Sequence, residues 1–237
     1  MGLFKFINRK LLESAVKDGK DQELILRKNH DDVSKLQGII DQKKKEGIKF
    51  HALGDTFNSY MEGDTGELHI GKKALNTSVP YHEIGHAEMM TGKKGKILQT
   101  LQKDLYTPSY NLSHHKAAKY VHGGAGFAAG LYNGSREDGK ESKALKWSTR
   151  IAPLLTAAPV LITEGAASLG GYRMLKKAEV SKEFLKKARN LYLKAGGTYA
   201  VAPVKNIVSN EIGYQAGKIA GKQMRKRKER LRQESEE

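Results

Sequence analysis

Two histidines four residues apart, in the segment His82-Glu83-Ile84-Gly85-His86, constrain this chain more than any other feature it carries. On a helix, residues four apart leave the same face about one turn apart, so both imidazoles reach a single ion at about 2.0–2.1 Å. Glu83 follows the first histidine directly and can stand beside such an ion without serving as a ligand. That is where a general base toward a water on zinc is needed. The flanks suit a helix: Ser78 or Thr77 can cap it, Pro80 fits an early helical position, and Gly92 ends it. Gly85 and Ala87 are small enough to let a second helix approach the ligand face.

A catalytic zinc ordinarily has three protein ligands and one open position. The 237 residues include no cysteine, which excludes disulfides and thiolate ligands, so the third ligand is sought among His, Asp and Glu. The extended motif with a third histidine fails, because Met89 and Gly92 occupy its glycine and histidine positions. Glu88 lies two positions beyond His86 and faces another way. For His114, His115 and His122, a satisfied or exposed histidine is the ordinary reading. Glu164 differs from all of these. It is the one charged residue between Ile151 and Tyr172, and an unpaired carboxylate buried among apolar residues is costly. Coordination would remove that cost, as would a Lys, Arg or backbone partner elsewhere.

Along the chain two regimes are visible. Residues 1–112 are polar and lysine-rich, with helices predicted over about 3–27 and 30–46. Short strands are predicted at 47–53 and 67–70, with a turn at 62–66 between them. From residue 113 the chain turns to Gly, Ala and aliphatic residues, in three stretches near 120–135, 151–172 and 191–220. Charged connectors separate them, and Trp147, the single tryptophan, stands where an interfacial anchor would sit. Small residues in these stretches suit close helix packing, in a soluble core or in a bilayer. The N-terminal helix reads either as a surface helix packed on a core or as a basic amphipathic helix lying on a membrane. No secretory signal is evident, and Phe6 stands against a myristoylation motif.

The chain also resembles the bacterial membrane-associated neutral zinc metallopeptidases of the H-E-x-x-H type. The likeness runs from Leu53-Gly54-Asp55 and Ile70 to Pro80-Tyr81-His82-Glu83-Ile84-Gly85-His86-Ala87. It continues in Leu161-Ile162-Thr163-Glu164-Gly165-Ala166-Ala167-Ser168 and in Ala188–Leu191 with Gly197–Ala200. The resemblance implies zinc bound by His82 and His86, Glu83 as the catalytic residue, Glu164 as third ligand, and membrane association through the second half. Ala166 and Leu169-Gly170 depart from the family's acidic and basic residues there.

The fold expected is mainly α: a helical metallopeptidase unit with a short β segment before the H-E-x-x-H helix and an apolar helical second half. The segments read as an N-terminal helical region (1–46), a metallopeptidase-like domain (47–217) and a basic tail (218–237). The function expected is a membrane-associated, otherwise cytoplasmic, zinc endopeptidase that cleaves peptide or protein substrates through a Glu83-activated water on zinc. An edge at Glu67–Ile70 would receive the substrate strand, and His69 or Tyr81 would serve the oxyanion. The alternative is an inactive, metallopeptidase-like structural protein of a membrane or virion. Its net charge of +16 would then meet anionic partners. The tail around Arg225-Lys226-Arg227-Lys228 suits anionic lipid; no nucleic-acid module accompanies it.

Overall fold

Asn29 separates the first two helices, α1 (Gly2–Lys28) and α2 (His30–Lys45). Its side chain accepts the Asp32 N–H at 3.2 Å, and acidic residues open α2 while lysines close it, both matched to the helix dipole. A three-stranded sheet follows: β1 (Phe50–Leu53), β2 (Ser59–Met61) and β3 (Leu68–Gly71). β3 is central, parallel to β1 and antiparallel to β2, with Tyr60 opposite His69. The hairpin between β2 and β3 closes with the Glu62 N–H on the Glu67 carbonyl, and Gly66 supplies the positive φ it needs.

Helix α3 (Val79–Met90) carries the histidine pair. Next comes α4 (Lys96–Thr100), which passes through a π-helical turn (Leu101–Leu105) into α5 (Tyr106–His114). The remaining helices are α6 (Ala118–Ser135), α7 (Lys143–Lys177) and α8 (Lys182–Glu236). The computed structural model describes residues 2–137 and 140–236, with the side chains of 2 and 236 excepted. The protein is mainly α, with the small sheet ahead of α3 and an apolar helical second half, as its sequence predicts. β2 is an additional strand.

The chain divides into two compact units. One comprises Met1–Pro108 with Pro159–Val201, the other Ser109–Ala158 with Ala202–Glu237. The first has an ordinary core in which Leu36, Leu68, Ile70, Ile84, Leu175 and Phe184 are buried. The second is built differently. Gly126, Gly130 and Gly134 of α6 lie against the backbone of α8, and Gly213, Gly217 and Gly221 of α8 against that of α6, so closely that a Cβ at Gly130 or Gly217 would lie 2.0 Å from a facing carbonyl oxygen. Its buried positions include Asn133, Asn206 and Asn210, which donate to the Tyr214 hydroxyl and the carbonyls of Ser113 and His122. Tyr214 is also buried, but Tyr120, Val121, Phe127, Trp147, Leu155 and Ile212 are among its large apolar residues that face outward. Among the described residues α7 is the one helix long and apolar enough to cross a membrane, a test that a soluble core helix also passes.

Candidate metal centre

The start of α3 is pinned from two sides. Gln22 of α1, fully buried, accepts the Ser78 N–H at 2.6 Å and donates to the Ser78 hydroxyl at 3.1 Å. The Tyr192 hydroxyl of α8 donates to the Ser78 carbonyl at 2.6 Å. Thr77 accepts the Val79 N–H through its hydroxyl, and Pro80 falls in the first turn where no amide is needed. One turn further on, α7 presses against α3 at Gly85. A Cβ there would stand 2.6 Å from the Ala167 carbonyl oxygen, so only glycine admits this approach. Glu164 lies one turn before Ala167 and is thereby carried over the histidines.

The Nε2 atoms of His82 and His86 are 3.2 Å apart. Glu164 places one carboxylate oxygen 3.2 Å from the His82 Nε2 and the other 3.6 Å from the His86 Nε2. All three side chains are largely buried, and together they form a group that could hold a metal ion. The outer ring nitrogens are occupied: His86 Nδ1 donates to the Gln102 side-chain oxygen at 2.8 Å, and His82 Nδ1 meets the Ser168 hydroxyl at 3.1 Å. Such partners fix each ring's orientation and leave Nε2 for the centre. The Tyr106 hydroxyl donates to Glu164 at 2.5 Å.

Burial opposes ionisation of Glu164, but its contacts with His82 and His86 outweigh this and hold its carboxyl far below the ordinary range. Burial likewise disfavours a charged His86, yet Glu164 overrides it and raises the imidazole to about 9. Glu83 goes the other way. Burial pushes its carboxyl up, partly offset by the two histidines and by the Met61 N–H, which donates to it. Tyr106 is also pushed up, by burial and then by the Glu164 charge, so it stays a protonated donor.

The structure thus brings His82, His86 and Glu164 together. It leaves Glu88 on another face, paired with Lys43 and Lys94 at 2.8 Å each. Two expectations, Tyr81 as an oxyanion donor and Glu67–Ile70 as a sheet edge, are corrected. Tyr81 is fully buried and its hydroxyl donates to the Leu36 carbonyl, so it is no oxyanion donor. His69 is stacked between His51 and Tyr60 on the sheet. The segment Glu67–Ile70 is no edge, because β3 is paired on both sides; the edge strand touching α3 is β2. Gln102, Tyr106, Ser168 and Tyr192 escaped notice as members of the site. Ser168 had a readable signal, since it stands four residues after Glu164 and shares its helix face. Glu62, Glu67 and His69 form a second, more exposed cluster, in which Glu67 already pairs with Lys49 and His51. Neither family profiles nor curated proteins nor solved structures yield a match to the chain.

Proposed function

We propose that the chain is a zinc-dependent endopeptidase. One observation carries the reading: the two Nε2 atoms stand 3.2 Å apart, and the two Glu164 carboxylate oxygens lie 3.2 Å from one and 3.6 Å from the other. Ligands at about 2.0–2.1 Å on a tetrahedral ion stand about 3.3–3.4 Å from one another. The donor set of two imidazoles and one carboxylate, with no thiolate, suits a catalytic zinc that keeps a position open. When bound there, zinc would supply Lewis acidity toward a substrate carbonyl and would make water acidic enough to attack near neutral pH.

The chain's own residues supply the rest. Glu83, raised by burial, accepts a proton from the attacking water and returns it to the leaving amine, with the Met61 N–H holding its carboxylate. Tyr106, kept protonated, is a hydroxyl donor at the same centre. Gln102 and Ser168 orient the two rings. The purified chain should hold about one zinc by elemental analysis and cleave an unfolded protein. Glu83→Gln should keep the metal and lose cleavage. Equal activity in that variant sinks the mechanism, and zinc without cleavage in the wild type assigns the chain to the inactive structural alternative.

The reading includes association with a membrane through the second unit, supported by its inverted polarity. Glycines and hydrogen-bonded asparagines lie inside and large apolar side chains outside, the arrangement that suits a lipid surround. The basic residues of α8 beyond Gly221 suit anionic headgroups.

A further inference from the structure

A cleft of about 610 Å³ opens within the first unit, walled by α7 and α8. It is continuous with the metal centre, because its wall includes Glu164, Ser168 and Tyr192, each of which lies against His82. Most of the remaining wall is apolar. Leu169 and Leu193 stand at 48% and 68% exposure, unsatisfied as apolar surface unless something covers them. Gly165 and Gly196 also line it, and a Cβ added at either would meet nothing within 4 Å. Unlike Gly85, these glycines admit no neighbouring helix; they weaken their own helices and leave the cleft wide. Besides Glu164, which is committed to the histidines, the one charged group in the wall is Arg189. It makes no ion pair or side-chain hydrogen bond among the described residues.

We propose that this cleft is the specificity pocket of the centre: it takes one large apolar side chain of an extended peptide, leucine or phenylalanine, while Arg189 takes a neighbouring carboxylate. This rests on the peptidase reading and goes beyond it by naming the substrate class. A volume of this size lies within the ordinary range for pockets that enclose a ligand group. A water-filled apolar cleft gains most from a side chain that fills it, and an unpaired guanidinium is a ready partner for a planar carboxylate.

The test measures equilibrium binding to zinc-loaded, full-length Glu83→Gln protein, so that no turnover is needed. The probes are fluorescent peptides of the form Ala-Ala-X-Ala-Ala with X as Leu, Phe or Ala. Each is made with an amidated C-terminus, with a free one, and with Asp beside X. Leu and Phe should bind at least about tenfold tighter than Ala. Adding Gly196→Leu, which fills the cleft from a position with room for it, should reduce that ratio to near one, with zinc content retained and Tm unchanged or raised. Arg189→Ala should weaken only carboxylate-bearing peptides; loss with the free C-terminus alone, or with Asp alone, identifies which carboxylate is taken. A Leu to Ala ratio that Gly196→Leu leaves unchanged overturns the pocket. So does equal binding of all peptides with retention of a fatty-acid probe that Gly196→Leu rejects, which would give the cleft to an acyl chain. Wild-type cleavage of the same peptides is read separately. Preference without cleavage keeps the pocket and removes the peptidase reading, whereas cleavage without preference does the reverse.

Discussion

Burial raises the proton affinity of Glu83 beside the two histidines, the direction that the proposed base requires, and the residues around it depend on one another in the same way. Gln102 is a case in point. It fixes the His86 tautomer from a buried position, so Gln102→Leu should weaken zinc binding about 10- to 100-fold in a chelator competition while the fold persists. Tyr106→Phe separates two roles for the hydroxyl on Glu164. If it serves the reaction, kcat falls with zinc affinity nearly unchanged; a purely positioning role lowers zinc affinity as well. The histidine pair and Glu83 were legible in sequence because five consecutive helical residues determine their own geometry. Glu164 was legible through cost, as the lone carboxylate of an apolar stretch. Gln102 and Tyr106 were not, because the π-helical turn at Leu101–Leu105 shifts the face on which following residues emerge, and no ordinary helical period anticipates it.

At the scale of elements, the site exists because α7 can lie against α3. Gly85→Ala places a methyl carbon where the Ala167 carbonyl oxygen stands, and the helices must part. The cost should be about 1–3 kcal/mol, read as a lowered denaturation midpoint, with a larger relative loss of zinc affinity as Glu164 retreats. A second tie, between α2 and α3, is electrostatic. Burial opposes a charged Glu88, but Lys43 and Lys94 prevail and lower its pKa below the ordinary 4.5. A lowered carboxylate stabilises the fold above its unfolded pKa and loses that contribution as pH falls through the folded value. Wild-type Tm should therefore drop more steeply below about pH 4.5 than that of Glu88→Gln, the two curves converging in acid. Equal slopes would remove Glu88 from the account. The helices and the strands β1 and β3 were readable from periodicity and turn residues. β2, three residues long between turn formers, carries too little alternation to be seen, and with it went the identity of the edge strand.

For the molecule as a whole, the decisive contrast is between a first unit with a leucine and isoleucine core and a second with glycine and asparagine inside and aromatic and aliphatic residues outside. In water the second arrangement exposes surface that the hydrophobic effect would bury, whereas in a bilayer the same surface costs nothing and the internal hydrogen bonds are retained. Trp147, exposed on that surface and the single tryptophan of the chain, reports which medium it meets. Added to vesicles containing anionic lipid, the protein should shift its emission to shorter wavelength and float with the lipid. The net charge of +16 complicates the experiment, because electrostatic adsorption alone would also produce flotation at low salt. Adsorption is screened at 1 M salt, where the Debye length is about 3 Å, while insertion is not. The expected outcome is a blue shift and flotation that both survive high salt. Gly217→Leu, which forces α6 and α8 apart at Phe127, should reduce the inserted fraction without changing the charge. Release of the wild type by salt, with emission returning to that of the free protein, would mean that only the basic surface had bound and that the apolar faces of the second unit need a different explanation.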